Sequence, residues 1–489
     1  MTKSFKEECG VFGIWNHAEA SRLTYLGLYA MQHRGQESAG IVSLDHSQHI
    51  IHKNLGLVSE VFNEAQLVRL KGRSAIGHVR YGTTGGNLIA NAQPLTSNLL
   101  NGPVAVAHNG NIVNSSILRE ALQREGAIFQ GTNDTEILLH LISRNPSSDL
   151  VRALKDSLKD LTGAYSLVIL AHDQIIAARD PYGFRPLVMG KINSNQGVSH
   201  VFASETCALD LIGAEYIREV EPGEIIQISS EGLVSEKIVF PLEGNRKSAQ
   251  CIFEHVYFAR PDSIVFGRSV YNSRKKFGEQ LAIEELEKNK DFQADVVIPV
   301  PDSGVPAAIG YSQKSGIPFE FGIIRNHYIG RTFISPGQSV RDFSVKIKLN
   351  AQTEVLKNKK VIVIDDSLVR GTTSQKIINL IRQAGAKEVH LRIASPPTTG
   401  PCYYGVDTPQ KSELIASHQS TQDIRLHIGA DSLSYLSDSG MWKAVSGGPE
   451  SFCAACFNGD YPTSLKGVEV KKNKENSEKK DTSLSAAKE

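Results

Sequence analysis

Through the first half of the chain, short apolar runs alternate with turns rich in glycine and asparagine. Ala75-Ile76-Gly77-His78-Val79 and Val104-Ala105-Val106-Ala107 have the length and texture of strands. Between such runs, apolar positions at helical spacing predict helices over Leu26–Met31 and Thr135–Ile142. Past about residue 240 the texture changes. Ala294–Val300 and Lys360–Ile364 are continuous apolar runs of the kind that parallel sheets bury on both faces. Each leads through a loop into a helical pattern. The polar, turn-prone segment Pro241–Ser248 separates the two textures. From Lys466 onward the chain is rich in Lys, Glu and Ser without apolar periodicity, as disordered tails are. The expected organisation is one domain over 9–240, a second over 241–465, and a disordered charged tail over 466–489. No repeat of fixed period is visible, which excludes solenoids and propellers.

A chain of 489 residues is too long for one ordinary core, in keeping with two domains. The net charge of +1 advertises neither nucleic acid nor an anionic membrane, so any phosphate must be held by a local site. No apolar run approaches the roughly 20 residues of a membrane helix. Met1–Glu8 lacks the hydrophobic core of a secretory signal. Six cysteines are too few for a disulfide scaffold of this size, so a cytoplasmic location is expected. The cysteines then read as chemistry or ligation.

The most specific local pattern is Val361–Ser374, VIVIDDSLVRGTTS. An apolar strand ends in Asp365 and Asp366, a hydroxyl- and glycine-containing loop follows, and a helix begins near Thr373. Loop amides and an open helix N-terminus form an anion cradle suited to a 5′-phosphate. Ser367, Thr372 and Thr373 add hydroxyl donors, and Gly371 lets the backbone approach closely. The two carboxylates suit ribose hydroxyls, directly or through Mg2+. Alone, an Asp-Asp-Ser sequence fits a helix cap equally well. As a whole the segment resembles the phosphoribosyl pyrophosphate (PRPP) signature of the type I phosphoribosyltransferases. That resemblance implies a pyrophosphate loop at Pro301–Pro306, with Ser303 joining Asp365 and Asp366 at magnesium. It also implies a flap over Arg325–Lys348, with Arg331 and Lys348 closing over PRPP and excluding water.

In the first half, Cys9 lies in Glu8-Cys9-Gly10-Val11-Phe12-Gly13-Ile14. Four further motifs follow in order: Gln32–Gly40 (QHRGQESAG), His78–Gly85 (HVRYGTTG), His108–Asn111 (HNGN) and Thr132–Glu136 (TNDTE). Together they resemble the class II, N-terminal-nucleophile glutamine amidotransferases. The resemblance implies that Cys9 is the nucleophile and that Asn109 and Gly110 form its oxyanion hole. It also implies that Arg80 pairs with the α-carboxylate of glutamine and Asp134 with its α-ammonium, while Arg34 shapes the site or couples the domains. A terminal cysteine carries its own base, because a free α-amine titrates at about 7.7–8.0. An amide nitrogen cannot serve, so residues 1–8 are expected to be removed as a propeptide.

Cys453 and Cys456 form a metal-compatible pair, whereas Cys251 and Cys402 stand alone. By spacing, buried thiols and a four-thiolate site both remain open. Taken together, the halves resemble the amidophosphoribosyltransferases over roughly residues 9–465. One branch of that family carries both a propeptide and a [4Fe–4S] cluster, and its ligands correspond to Cys251, Cys402, Cys453 and Cys456. Cys207 corresponds to no ligand.

The implied architecture is α/β plus α+β: an N-terminal-nucleophile αββα glutaminase domain followed by a type I phosphoribosyltransferase domain with a parallel sheet. The implied reaction moves ammonia from glutamine to C1 of PRPP, the first committed step of purine biosynthesis. A homotetramer or homodimer inhibited by purine nucleotides is expected, with neither nucleic acid nor membrane as partner. The alternative is a PRPP-sensing regulatory protein without transferase activity.

Overall fold

The computed structural model describes residues 9–81, 88–100, 102–172, 174–240, 242, 246–290, 292–326, 349–408 and 410–466. The segment 1–8, the expected flap residues Arg331 and Lys348, the Gly82–Gly85 part of the HVRYGTTG motif and the tail from 467 lie outside them.

Two antiparallel sheets face each other in the first half. The seven-stranded one runs in the order Glu215–Glu219, Val188–Ser194, Gly197–Ala203, Gly10–Trp15, Ser74–Arg80, Ser38–Asp45, Gln48–Leu55. The six-stranded one runs Gly232–Lys237, Glu224–Ser229, Gln174–Arg179, Gly163–Ala171, Gly102–Ile112, Leu95–Leu99. Strand periodicity sorts the side chains by face. Val11, Ile76, Ala105, Ala107 and Val168 point into the space between the sheets. Phe12 and Ile14 turn outward, onto the helix Ala20–Ala30. Val104, Val106, Leu167 and Ile169 turn the other way, beneath the helices Thr135–Arg144 and Leu150–Leu158. The layers are therefore αββα. Because both faces of each sheet are covered, the inner strands read as nearly continuous apolar runs, as parallel strands do.

The second half holds a parallel four-stranded sheet in the order Val296–Pro299, Lys360–Asp365, Glu388–Ile393, Ser432–Tyr435. Val297, Ile362 and Ile364 pack against residues of the helices Val270–Lys288 and Val305–Ser315. Val296, Ile298, Val361 and Val363 pack on the opposite face against Thr372–Gln383 and Thr421–Ile428. The helix expected near Thr373 begins at Thr372. Both expected strand-to-loop transitions therefore open at the carboxyl edge of one sheet, where open α/β sheets bind ligands.

The halves are joined by backbone as well as by side chains. Ala249 and Cys251 donate their amides to the carbonyls of Tyr182 (2.7 Å) and Phe184 (3.0 Å). The strand Gln250–Cys251 then pairs with Phe452–Cys453 from the far end of the second half. No helix among the described residues is long and apolar enough to cross a membrane.

Two candidate active sites and the segment between them

Cys9 precedes the strand Gly10–Trp15, which lies between Gly197–Ala203 and Ser74–Arg80 in the sheet. The register Gly10↔Val79 brings the end of that neighbour, Arg80, alongside. The Cys9 thiol is half-buried and donates to the Tyr81 carbonyl at 3.6 Å. Burial pushes this thiol up; Arg80 and Arg34 draw it back, and Asp134 adds to the rise. The fold thus gathers Cys9, Arg34, Arg80 and Asp134, four of the residues expected at the glutamine site, within electrostatic reach of one another.

Asn109 and Gly110 come from the facing sheet, just beyond His108, whose carbonyl accepts from Nε2 of His78 at 3.0 Å. Asn109 is 1% exposed, and its Nδ2 has no hydrogen-bond partner among the described residues. A buried donor without an acceptor is rare in native structures. Gly110 has φ +148, and a Cβ there would stand 2.1 Å from the Ala164 carbonyl oxygen, so only glycine fits. Asp134 accepts from the Ile112 amide (2.8 Å), which ties it to the same strand.

A supporting layer escaped the sequence reading. Gln93 accepts from the His108 amide (2.8 Å) and donates to Thr135 (3.2 Å). Asn91 clips Thr132 through two bonds of 2.9 Å. Neither residue belongs to a recognisable motif, so only its position two or four residues before the strand Leu95–Leu99 could have drawn attention to it.

At the second site, Asp365 closes its strand and Asp366 opens the loop; they are 8% and 6% exposed. Ser367 donates to Asp366 at 2.6 Å, and Ser303 hydrogen-bonds the same carboxylate. Burial pushes both carboxyls up, and at Asp365 the neighbouring Asp366 adds to the rise. Gly371, at φ +76, turns the chain into the helix Thr372–Gln383, leaving Thr372 and Thr373 in its first turn. The structure brings Ser303, Asp365, Asp366 and Ser367 together, as expected.

The four expected cluster cysteines come from separate stretches. Cys251 and Cys453 are partners in the short parallel pair. The carbonyl of Cys456 accepts from the amides of Thr399 and Gly400 (2.9 and 3.0 Å), and the Cys402 sulfur accepts from the Tyr404 amide (3.3 Å). Burial pushes Cys251 up to about 11 and drives Cys456 well above the ordinary thiol range, where Cys251, Cys402 and Cys453 add to the rise. Among the described residues no group of three or more His, Cys, Asp or Glu could hold a metal ion. Burial favours the thiol over the thiolate at all four. Cys207, which corresponds to no ligand, is a buried thiol.

Between the sites lies a buried ion network that no motif announced. Arg34 donates to Glu205 (2.6 Å) and to Glu254 (2.7 and 3.0 Å), and Arg185 pairs with Glu254 at 2.9 Å. All four are at most 1% exposed. Burial opposes both carboxylates, yet His33 and Arg34 hold Glu205, and Arg34 and Arg185 hold Glu254, below the ordinary range. Two buried charges of each sign stand against one another. The readable signal was Glu254 within the apolar run Cys251–Phe258, because a carboxylate there requires a buried cation. Arg34 thus bonds at once to Glu205 of the first half and Glu254 of the second. Nearby, Asn111 donates to the Tyr403 carbonyl (2.9 Å), and Phe184 stacks on Tyr404 at 4.1 Å.

A sequence model of the glutamine amidotransferase domain matches residues 82–211, and one of the phosphoribosyl transferase domain matches 273–400. Amidophosphoribosyltransferase from Bacillus subtilis is 48% identical over 468 residues, 95% of this chain and 96% of that protein. The chloroplastic amidophosphoribosyltransferase 1 of Arabidopsis thaliana is 53% identical over 468 residues, 96% of this chain and 81% of that protein. The solved structure of glutamine PRPP amidotransferase from B. subtilis complexed with ADP and GMP is similar at TM-score 0.86 and 47% identity, covering 94% of this chain and 98% of that one.

Proposed function

The chain belongs to the amidophosphoribosyltransferase family, and from that premise we propose how its two sites divide the reaction. It is a glutamine-dependent phosphoribosyltransferase of the first step of purine biosynthesis. Cys9 attacks the side-chain amide of glutamine, ammonia leaves, and water hydrolyses the thioester to glutamate. Ammonia then displaces pyrophosphate from C1 of PRPP with inversion, giving 5-phosphoribosylamine. Arg80 and Asp134 bind the α-carboxylate and α-ammonium, while Asn109 and Gly110 receive the oxyanion. Ser367, Gly371, Thr372 and Thr373 cradle the 5′-phosphate, and Arg331 and Lys348 close over PRPP. The observation that carries this reading is the Asn109 donor in the sheet facing Cys9, which has no hydrogen-bond partner among the described residues. In the Cys9→Ala variant, glutamine-dependent synthesis should vanish while synthesis from ammonium salts persists. Glutamine-dependent turnover by that variant would sink the assignment.

Four finer parts of the proposal have their own supports. Residues 1–8 are a propeptide, since the thiol that burial pushes up needs the α-amine of Cys9 as base. Intact mass of active enzyme should begin at Cys9; activity with the segment attached refutes this. Ser303, Asp365 and Asp366 would hold magnesium, since a dication would relieve the repulsion of two buried carboxylates and would there offset the charge on the leaving pyrophosphate. The [4Fe–4S] reading rests only on the mutual proximity of four thiols, because a four-iron cube spreads its sulfurs more widely than a single zinc with bonds of about 2.3 Å. Anaerobic protein with about four iron per chain supports it, and metal-free or zinc protein refutes it. Domains over 9–240 and 241–465 are supported by the change of sheet type across 237–250.

Purine nucleotides as inhibitors of a homodimer or homotetramer are proposed by analogy with the B. subtilis enzyme complexed with ADP and GMP. A cytoplasmic site of action rests on six unpaired cysteines, although the Arabidopsis relative is named chloroplastic.

A further inference from the structure

His108 lies immediately before Asn109 and Gly110, is 2% exposed, and has each of its polar groups engaged by a different segment. Its amide donates to Oε1 of Gln93 (2.8 Å). Its carbonyl accepts from Nε2 of His78 (3.0 Å), on the strand that ends at Arg80. Its Nε2 meets the Ala164 carbonyl at 3.2 Å, and its Nδ1 meets Oγ1 of Thr135 at 2.8 Å. Thr135 opens the helix that Asp134 precedes. Gln93, His78 and Thr135 are all buried, so these bonds stand away from bulk water.

The chemistry of the groups fixes which end donates. A backbone amide only donates, so Gln93 turns its oxygen to His108 and its Nε2 to Thr135, at 3.2 Å. A carbonyl only accepts, so Nε2 of His108 carries a proton. Oγ1 of Thr135 receives the Gln93 amide and gives its single proton to Nδ1 of the neutral imidazole. Asp134 stands farther from Nδ1, at 3.9 Å. A closed circuit results, from the His108 amide to Gln93, on to Thr135 and back to the His108 imidazole. Hydrogen bonds linked in this way strengthen one another. The imidazole also lies against Gly110, where a Cβ would come within 2.9 Å of its Nε2.

We infer that the Gln93–Thr135–His108 circuit positions the oxyanion donors Asn109 and Gly110, with the Nε2–H form of His108 as its hub. This rests on the assignment of Asn109 and Gly110 to the glutamine half-reaction. Those donors must stand where the tetrahedral oxygen forms, and the circuit fixes the strand at the residue before them. Glutamine's α-ammonium site is held separately, because Asp134 accepts from the Ile112 amide farther along the strand. Loss of the circuit therefore shifts the donors and spares that site.

The test uses full-length enzyme with Thr135→Val, which keeps the shape and removes the hydroxyl, and Thr135→Ser, which restores it. In the valine variant glutaminase kcat should fall about tenfold to hundredfold, the cost of a displacement of about 1 Å, while KM stays within about twofold. Affinity for glutamate γ-semialdehyde, whose tetrahedral adduct with Cys9 places its oxygen in the same hole, should fall by the same factor. Synthesis from ammonia should stay within about twofold, and the serine variant should recover kcat. A valine kcat within about threefold of the parent overturns the inference, as does unchanged affinity for the aldehyde or a serine variant as slow as valine. A parallel loss of ammonia-dependent synthesis marks a merely structural hydroxyl and overturns it too. His108 is the one histidine followed by asparagine, so paired isotope labelling assigns it in the unmodified enzyme. Ring nitrogen shifts should place the proton on Nε2 alone; a proton on Nδ1 overturns the inference whether or not the variant folds. Failure of the underlying assignment is distinguishable, because Asn109→Ala would then keep its turnover.

Discussion

Truncating Asn109 to alanine should remove turnover at the glutamine site while leaving affinity and stability nearly untouched. The amide sits 1% exposed, with its Nδ2 lacking an acceptor among the described residues. An unpaired buried amide costs about 1–3 kcal/mol, so the fold carries the donor at a loss until something negative forms beside it. The tetrahedral intermediate supplies that negative oxygen. Losing one oxyanion donor lowers kcat by about 10²–10³, or about 2.7–4 kcal/mol. The resting enzyme loses no bond, so KM for glutamine should stay within about twofold. In stability, the relief of the unpaired amide and the small void left by truncation oppose one another, for a net change of about 1 kcal/mol or less. Steady-state glutaminase kinetics, with ammonia-dependent synthesis and thermal unfolding as controls, read all three quantities. If kcat stays within about threefold of the parent, or if KM rises while kcat holds, the amide is not an oxyanion donor and the reasoning fails.

Gly110→Ala should be harsher, because φ +148 and a Cβ 2.1 Å from the Ala164 oxygen force the strand to move. Glutaminase should collapse and stability fall by about 1–3 kcal/mol, measured by urea unfolding. Asp366→Asn should cut phosphoribosyl transfer by about 10²-fold yet stabilise the metal-free protein. The carboxyl is pushed up in the fold, so its ionisation weakens the native state once the pH exceeds the unfolded value of about 4. The stabilisation by Asn in EDTA should therefore grow as pH rises from about 4 and level off above the folded pKa; a pH-independent difference would contradict it. Glu205→Gln leaves Arg34 less than fully compensated and should cost about 3–5 kcal/mol at neutral pH. Glu205 is held low in the fold, so its contribution is present above the unfolded carboxylate value of about 4.3 and fades as pH falls below it. Parent and variant stability curves should converge in acid, and parallel curves would rule the pairing out.

Much of the second site was legible because its parts are contiguous. Asp365, Asp366, Ser367, Gly371 and Thr372 follow one another along a strand end, a loop and a helix start, so local geometry places them. The glutamine site was legible differently, through five motifs whose order matches a family rather than through any one stretch. Cys9, Arg80 and Asp134 could be named from sequence, but not the supports Asn91 and Gln93, whose residue types are ordinary turn residues. The cysteines were legible only in part. Their positions fit a ligand set, yet whether four thiols stand at bonding distance is a matter of angstroms that spacing does not encode.

The sequence by itself determined the strand and helix patterns, the order of the two chemistries and the residues that bear them, because periodicity, turn residues and motif chemistry act over a few neighbouring positions. Only the tertiary structure decided which charges lost their water. Arg34 and Glu254 lie 220 positions apart, and Gln93, His108 and Thr135 sit on separate segments; these contacts exist because packing closes over them. Desolvation belongs to the packed molecule and not to any residue, so the Asn109 amide without a partner among the described residues, the strained acid pair and the circuit through His108 appear only once the sheets and helices are assembled.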